Sequence, residues 1–302
     1  MLLGGVRVRE CVAALRAQGV PAFEEVYTAA SCLGALYAQD RVRRSPPPVI
    51  RMPAVHTERI RAIARVAREE GRRFLHAHEG RMLLRSLDIE TPRTRIARSL
   101  AEAVAAADAI GYPIVLKVVS KDILHKSDAG GVALDLENRA ELMNAYEAIL
   151  HSCRQRCPAA RIEGVEVAEQ IRKGIELIVG ARRDAAFGPI VMFGLGGIYV
   201  EVLGDVAFRS VPLARAEIET MIKQTRAHRL LLGVRGEARR DERAAVDALL
   251  KLGAVVDACP QIADIEINPL VVFEEGRGAR ALDIRVMLGE GRGVEQESGP
   301  GG

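Results

Sequence analysis

The chain contains no tryptophan, and phenylalanine and tyrosine together bring its aromatic content to only 4%. Proteins that bind single-stranded nucleic acid stack bases on aromatic side chains, so this scarcity argues against that class. An excess of charge of one sign is also missing, because 43 Lys and Arg residues face 40 Asp and Glu residues over 302 positions. Without a basic stripe, a nucleic-acid partner is not expected, and small-molecule chemistry is favoured.

Long hydrophobic runs are absent as well. The longest, residues 190–200, is interrupted by Gly194, Gly196 and Gly197, whereas a membrane-spanning helix needs about 20 apolar residues. The five cysteines form no Cys-x-x-Cys motif, and the first ten residues lack the apolar core of a signal peptide. We therefore expect no membrane association and a location in the reducing cytoplasm.

The composition that is present, 49% hydrophobic and 27% charged residues, is sufficient for a sizeable core. Residues 1–44 predict a small βαβα fragment with strands over 1–3 and 20–23, too small to be stable as a sheet by itself. Three prolines predict a linker over 45–56. We expect an α+β domain over 57–289, followed by a disordered tail over 290–302 that is rich in Gly, Glu and Ser.

One strand near the C-terminus alternates oxygen-bearing side chains with isoleucines. Asp264, Glu266 and Asn268 occupy every second position, so a strand places them on one face. A turn near residue 275 would put Asn268 opposite Asp283, where cross-strand Cβ atoms lie ~5 Å apart. Converging carboxylate and amide oxygens suit Mg²⁺. The same alternation is typical of a strand with one solvated face, so the pattern leaves both interpretations open.

Residues 117–131 combine Lys117, at the end of a predicted strand, with a loop that closes on Gly130 and Gly131. Backbone N–H groups of such a loop bind phosphate, and glycine permits close approach and positive φ. Within the loop, His125 stands beside a lysine. A neutral imidazole is a nucleophile toward a phosphoryl group, and a neighbouring cation stabilises the product. From spacing alone, a loop histidine is more often an exposed residue without a chemical role.

Residues 111–134, 176–213 and 264–285 together resemble the ATP-grasp module of ADP-forming acyl-CoA synthetases, the half related to the beta chain of succinyl-CoA synthetase. The resemblance extends from about residue 81 to residue 286 in one order. It implies an α+β ATP-grasp fold of two lobes over 57–289. Residues 1–44 resemble the end of the flavodoxin-like CoA-ligase domain that precedes this module in single-chain members.

The resemblance also assigns roles to matching positions. It implies contacts with ATP or ADP for Lys117, Gly130, Gly131, Glu169, Glu176 and Arg183, with Glu169 at the hinge that holds the adenine. It implies Mg²⁺ ligands at Asn268 and Asp283, with Glu266 as a further candidate. His125 matches the histidine of a mobile loop that is transiently phosphorylated and carries the phosphoryl group between distant active sites. Asp88 stands where the family tends to have a glycine.

The implied reaction is acyl-CoA + ADP + phosphate ⇌ acid + CoA + ATP. The sequence contains no CoA-binding Rossmann domain and only a fragment of a ligase domain, so we expect activity to require an alpha-like CoA-binding partner. Two other functions stay open. The chain could be a regulatory module or remnant that binds ATP without transferring phosphate, or a ligase that works through a free acyl phosphate.

Overall fold

The structure is a computed structural model that describes residues 5–44, 49–123, 126–171, 174–197, 204–234 and 236–289. The chain divides into two compact units, Met1–Val49 and Ile50–Gly302. The first unit contains helices α1 (Val6–Ala17) and α2 (Val26–Arg44). The predicted strand over residues 20–23 is wrong, because this segment pairs with no strand of the described ranges and an unpaired strand leaves its backbone groups without partners.

Several predicted segments fall where the structure gives no description. The strand expected over residues 1–3, the linker residues 45–48 and the tail over 290–302 lie outside the described residues. Within the described ranges, no helix is long and apolar enough to cross a membrane.

The second unit begins with helices α3 (Thr57–Glu69) and α4 (Ala77–Ser86), which precede its first lobe. The first lobe consists of β1 (Thr94–Ala97), α5 (Leu100–Ile110), β2 (Ile114–Val119), β3 (Val132–Leu136), α6 (Arg139–Arg156) and β4 (Gly164–Glu169). Its antiparallel sheet has the order β1-β4-β2-β3. The side chains of Ser99 and Asn138 accept backbone N–H groups at the starts of α5 and α6, so capping residues fix where both helices begin.

Over residues 174–197, 204–234 and 236–289, the second lobe shows six strands and three helices. In chain order they are β5 (Ile175–Asp184), β6 (Gly188–Leu195), β7 (Val206–Ser210), α7 (Arg215–Lys223), α8 (Ala227–Leu231), α9 (Glu242–Ala258), β8 (Ile262–Val272), β9 (Ala279–Ala281) and β10 (Ile284–Leu288). The sheet order is β10-β8-β5-β6-β7, and β9 pairs with β8. Helix α9 packs against β5, β6 and β8.

Each lobe has its own hydrophobic core, formed between its sheet and its helices. In the first lobe Leu116 and Val118 are buried in this core, and in the second lobe Ile265 and Ile267 are buried. Residues at the intervening positions, such as Lys117, therefore lie on the opposite face of each sheet. The predicted α+β class with two lobes is confirmed. Lys117 in the first lobe, and Asp264, Glu266 and Asn268 in the second, lie on the sheet faces opposite these buried residues.

Candidate active site

Asn268 on β8 lies opposite Asp283, which directly precedes β10, as the sequence predicts. Ile267 pairs with Ile284 in the antiparallel ladder, and the backbone N–H of Asn268 donates to the carbonyl oxygen of Asp283 at 3.3 Å. Asn268 is half-buried and Asp283 is exposed. The two oxygen-bearing side chains therefore lie at adjacent positions, one of them open to solvent.

Gly197, which the sequence indicates only as part of a glycine-rich turn, brings Glu176 to the same place. Its backbone N–H donates to Oδ1 of Asn268 at 3.1 Å. A Cβ at Gly197 would lie 2.4 Å from Oε2 of Glu176, and φ at this position is +65°. This backbone conformation favours glycine, and a Cβ here would displace the carboxylate of Glu176. The turn thus places Glu176 and Asn268 on either side of Gly197.

Acidic side chains crowd the face of β8 that carries Asn268. Burial raises the pKa of Glu266, the negative charge of Asp264 raises it further, and Asp283 adds to the effect, while Arg285 opposes it. Burial likewise raises the pKa of Asp264. A bound cation would relieve this repulsion between carboxylates.

The donor set fits a magnesium ion that also binds phosphate. Asn268 and Asp283 offer hard oxygen atoms, and Glu266 lies on the same face of β8. Among the described residues, no group of three or more His, Cys, Asp and Glu side chains could hold a metal by itself. Mg²⁺ characteristically takes one or two carboxylates and completes its shell with water and substrate phosphates, so the limited protein ligand set is compatible with it.

A cavity of about 100 Å³ opens on the same face of the second sheet. Its lining includes Gly180, Arg182, Met192, Phe208, Asp264 and Glu266. Gly180 is the cross-strand neighbour of both Glu266 and Met192. Because Gly180 has no side chain, an acidic wall and an apolar wall face each other across β5.

In the first lobe, Lys117 occupies the centre of β2 on the face opposite the helices. Its cross-strand neighbour on β4 is Glu166, which is almost fully buried. The carboxylate of Glu166 accepts from the guanidinium of Arg81 at 2.7 Å, and no ion pair joins Lys117 to another residue of the described ranges. The Lys117 ammonium is therefore available to a ligand on this face of the sheet.

Gly130 and Gly131 use their N–H groups within their own turn. The N–H of Gly131 donates to the carbonyl of Lys126 at 2.7 Å, and that of Gly130 donates to the carbonyl of Ser127 at 3.0 Å. In this conformation both groups stabilise the turn itself. His125 lies outside the described residues.

Glu169, at the end of β4, belongs to an ion-pair network. Its carboxylate accepts from Arg93 at 3.2 Å and from Arg280 at 2.9 Å. Burial raises the pKa of Glu169, but the hydrogen bonds from Arg93 and Arg280 outweigh burial, so the pKa lies below its usual value. The sequence places Glu169 at a hinge but does not reveal its partner Arg280, which is distant along the chain.

Arg183 points its guanidinium at the end of a helix. It donates to the carbonyl oxygens of Val256 and Asp257, in the last turn of α9. A cation at this position complements the negative end of the helix dipole. The structure thus brings Glu176, Asn268 and Asp283 together and places Arg183 in a separate set of hydrogen bonds.

Comparisons with known proteins agree with the two-lobed fold. Residues 66–288 match the family model described as the ATP-grasp domain, which is the class of protein that the two lobes and their polar faces define. The ADP-forming acetate–CoA ligase I of Archaeoglobus fulgidus is 40% identical over 294 residues, which are 95% of this chain and 42% of that protein. The beta subunit of the ADP-forming acetate–CoA ligase I of Pyrococcus furiosus is 40% identical over 76% of this chain and 97% of that subunit.

Solved structures of a dinucleotide forming acetyl-coenzyme A synthetase 1 from Ca. Korarchaeum cryptofilum are also similar. One, in complex with coenzyme A, Ca-AMPCP and HgCl+, gives a TM-score of 0.71 at 40% identity and covers 76% of this chain and 99% of that chain. Another, in complex with coenzyme A and Mg-AMPPCP, has its phosphohistidine segment pointing towards the nucleotide binding site. It gives a TM-score of 0.66 at 37% identity and covers 76% of this chain and 100% of that chain.

The chain therefore belongs to the ATP-grasp family, in the group that contains the beta subunits of ADP-forming acetate–CoA ligases. It spans less than half the length of the Archaeoglobus fulgidus enzyme and almost the whole length of the Pyrococcus furiosus beta subunit.

Proposed function

We propose that this chain is the nucleotide-binding and phosphoryl-transfer part of an ADP-forming acyl-CoA synthetase, which catalyses acyl-CoA + ADP + phosphate ⇌ acid + CoA + ATP. The observation that carries the proposal is the convergence of Glu176, Asn268 and Asp283 around Gly197. It supplies hard oxygen ligands on a sheet face that the helices leave open, in a chain 40% identical to an enzyme subunit of this class.

The residues of the second lobe would bind the magnesium form of ATP or ADP. Bound Mg²⁺ neutralises charge on the transferred phosphoryl group. Asn268 and Asp283 would hold the ion, with Glu266 contributing once it loses its proton. Lys117 would contact phosphate from the first lobe as a point charge. Glu176, held beside Gly197, would contact the nucleotide.

Four other residues would act less directly on the nucleotide: Gly130, Gly131, Glu169 and Arg183. The two glycines would allow the loop that follows β2 to approach phosphate, after their N–H groups leave the turn. At the hinge, Glu169 would contact the adenine through its backbone, because its carboxylate is paired with two arginines. We assign Arg183 to the support of α9 and not to phosphate.

His125 would carry the phosphoryl group. An imidazole nitrogen attacks the γ-phosphorus of ATP, a P–N bond forms, the P–O bond to ADP breaks, and ADP leaves; ATP synthesis is the reverse. Phosphoryl transfer depends mainly on positioning and charge stabilisation, so a distant second site requires a carrier. A structure of the Korarchaeum enzyme has a phosphohistidine segment that points towards its nucleotide site, which supports this role.

The partner would be an alpha-like CoA-binding and ligase subunit or domain. The Archaeoglobus fulgidus match covers 95% of this chain, whereas the match to the Pyrococcus furiosus beta subunit covers 76%. The N-terminal unit therefore has a counterpart in the longer enzyme, which supports its assignment as part of a ligase domain. A cytoplasmic location is part of the proposal, and the five free thiols of the chain are compatible with it.

The test is reconstitution with the alpha subunit of an ADP-forming acetate–CoA ligase. Acetyl-CoA, ADP and phosphate should yield ATP only when both proteins are present. His125→Ala should abolish the activity, while His151→Ala, which changes an exposed histidine on α6, should not. A His125→Ala protein with full activity contradicts the proposal, and nucleotide binding without any phosphoprotein favours the regulatory alternative.

A further inference from the structure

Arg280 joins the two lobes of the second unit. Its Nη1 donates to Glu169 at 2.9 Å, and its Nε donates to Glu90 at 3.2 Å. Glu169 ends β4 in the first lobe, whereas Arg280 is the middle residue of β9 in the second. On the other side of Glu169, Arg93 donates both its backbone N–H and its Nε. Four side chains of alternating charge thus connect the lobes.

The ion pairs of this network are partly shielded from solvent, so they stabilise the contact between the lobes. The side chains of Arg280 and Glu169 are 30% and 19% exposed. Exposed ion pairs contribute little to stability, but a half-buried carboxylate shared between two guanidinium groups forms stronger, charge-assisted hydrogen bonds. The pKa of Glu169 is lowered although burial opposes it, because Arg93 and Arg280 donate to its carboxylate. Glu169 therefore stays ionised around neutral pH.

The same short segment carries the lobe contact and a proposed metal ligand. Arg280 precedes Asp283 by three residues. Between them, the N–H of Ala281 donates to the carbonyl of Glu90 at 2.8 Å, and that of Leu282 donates to the carbonyl of Pro269 at 3.0 Å. These bonds tie the segment to the connection before β1 and to β8. Asp283 therefore lies in the same hydrogen-bonded segment as the lobe contact.

We propose that Arg280 is a positioning residue for the nucleotide, because its bond to Glu169 holds the lobes at the separation that a magnesium nucleotide requires. The inference rests on the proposed function. A protein whose binding-competent arrangement is only partly populated binds its ligand more weakly by that fraction. Loss of the contact therefore raises the Kd for nucleotide and leaves the rate of phosphoryl transfer at saturation unchanged, whereas a residue that only stabilises the fold changes neither.

The experiment measures the Kd for Mg-AMPPCP by calorimetry and the rate of phosphoprotein formation at saturating Mg-ATP. The variants are Arg280→Met, Glu169→Gln and the double variant. Arg277→Met is the matched control, because Arg277 lies in the same hairpin and its pair with Glu274 is 3.9 Å long and highly exposed. Hydrogen exchange without nucleotide reports separately whether the end of β4 loosens.

Arg280→Met should raise the Kd about tenfold, speed amide exchange at residues 168–171 and leave the saturated rate within twofold. The double variant should bind no more weakly than Arg280→Met, and the control should match the wild type. An unchanged Kd in a folded Arg280→Met protein overturns the inference, as does a further loss in the double variant. Failure of the wild-type protein to bind nucleotide would instead overturn the proposed function.

Discussion

Gly131 leaves no space for a side chain beside Val118, since a Cβ at this glycine would lie 2.4 Å from Cγ1 of Val118. Val118 is fully buried in the core of the first lobe, and the carbonyl of Lys126 would lie 3.0 Å away on another side. The loop that precedes Gly131 is therefore anchored where it rejoins the sheet. The glycine is required for packing as well as for any approach to phosphate.

Replacing Gly131 with alanine should destabilise the second unit. Overpacking of a tight core typically costs about 1–3 kcal/mol, which should appear as a reduced free energy of unfolding in urea. Gly289→Ala is the control, because its Cβ would make only ordinary contacts of 3.5 and 3.6 Å. Equal stability of the two variants would show that the packing argument is wrong.

Asp88 has a left-handed backbone conformation, with φ at +50°. This conformation disfavours residues with a Cβ. We expect Asp88→Gly to be at least as stable as the wild type and about 1 kcal/mol more stable than Asp88→Ala. The bond from Lys251 to the carbonyl of Asp88 should survive in both variants, so thermal unfolding should report the backbone effect. The reverse order of stability would refute the strain.

Binding of the magnesium nucleotide should release protons through Glu266. Its pKa lies above the usual 4.5, first because of burial and then because of Asp264, and a nearby cation lowers the pKa of a carboxyl group. At a pH between the pKa of Glu266 in the free protein and its lower pKa in the complex, the carboxyl group is protonated before binding and ionised after it. Affinity should therefore fall as pH falls through the raised pKa.

Calorimetry in two buffers with different ionisation enthalpies measures that proton release. Glu266→Gln should abolish the part of the release due to this residue. Glu274→Gln, which changes an exposed carboxyl group in the same hairpin, should keep it. Identical proton release in wild-type protein and Glu266→Gln would remove Glu266 from the site.

Asp283 should determine the magnesium requirement without determining the fold. It is exposed, and its Oδ1 accepts the N–H of Ile284 at 2.9 Å, a bond that an asparagine oxygen also makes. Asp283→Asn should raise the Mg²⁺ concentration for half-maximal nucleotide binding about tenfold, equivalent to ~1.4 kcal/mol. Asp108→Asn, on the exposed side of α5, should leave the requirement unaltered. A normal requirement in Asp283→Asn would exclude the residue as a ligand.

The hairpin that carries Asn268 and Asp283 could be predicted because its register depends only on local sequence. A turn near residue 275 and strict alternation fix which residues face one another. Helix α5 could be predicted equally well, because its serine cap and its final glycine mark both ends. By contrast, β1 is only four residues long, with Arg95 and Ile96 both exposed, and its strand identity comes from pairing with β4.

Contacts between distant segments could not be predicted from the sequence in this way. Arg280 and Glu169 are 111 residues apart, and no local pattern indicates that the two meet. The contact of Gly197 with Asn268 could not be predicted either. The glycine cluster predicts a turn, but it does not indicate that the N–H of Gly197 donates to Asn268. Such contacts are set by how the two sheets and their turns meet in three dimensions, which residue spacing does not encode.

The most direct test of the account is phosphorylation of the chain itself by Mg-ATP labelled on the γ-phosphate. The wild-type protein and His151→Ala should acquire an acid-labile, base-stable label, and His125→Ala should acquire none. Label of the same size in His125→Ala would contradict the account, as would the absence of label in a wild-type protein that binds the nucleotide and has its alpha-like partner present.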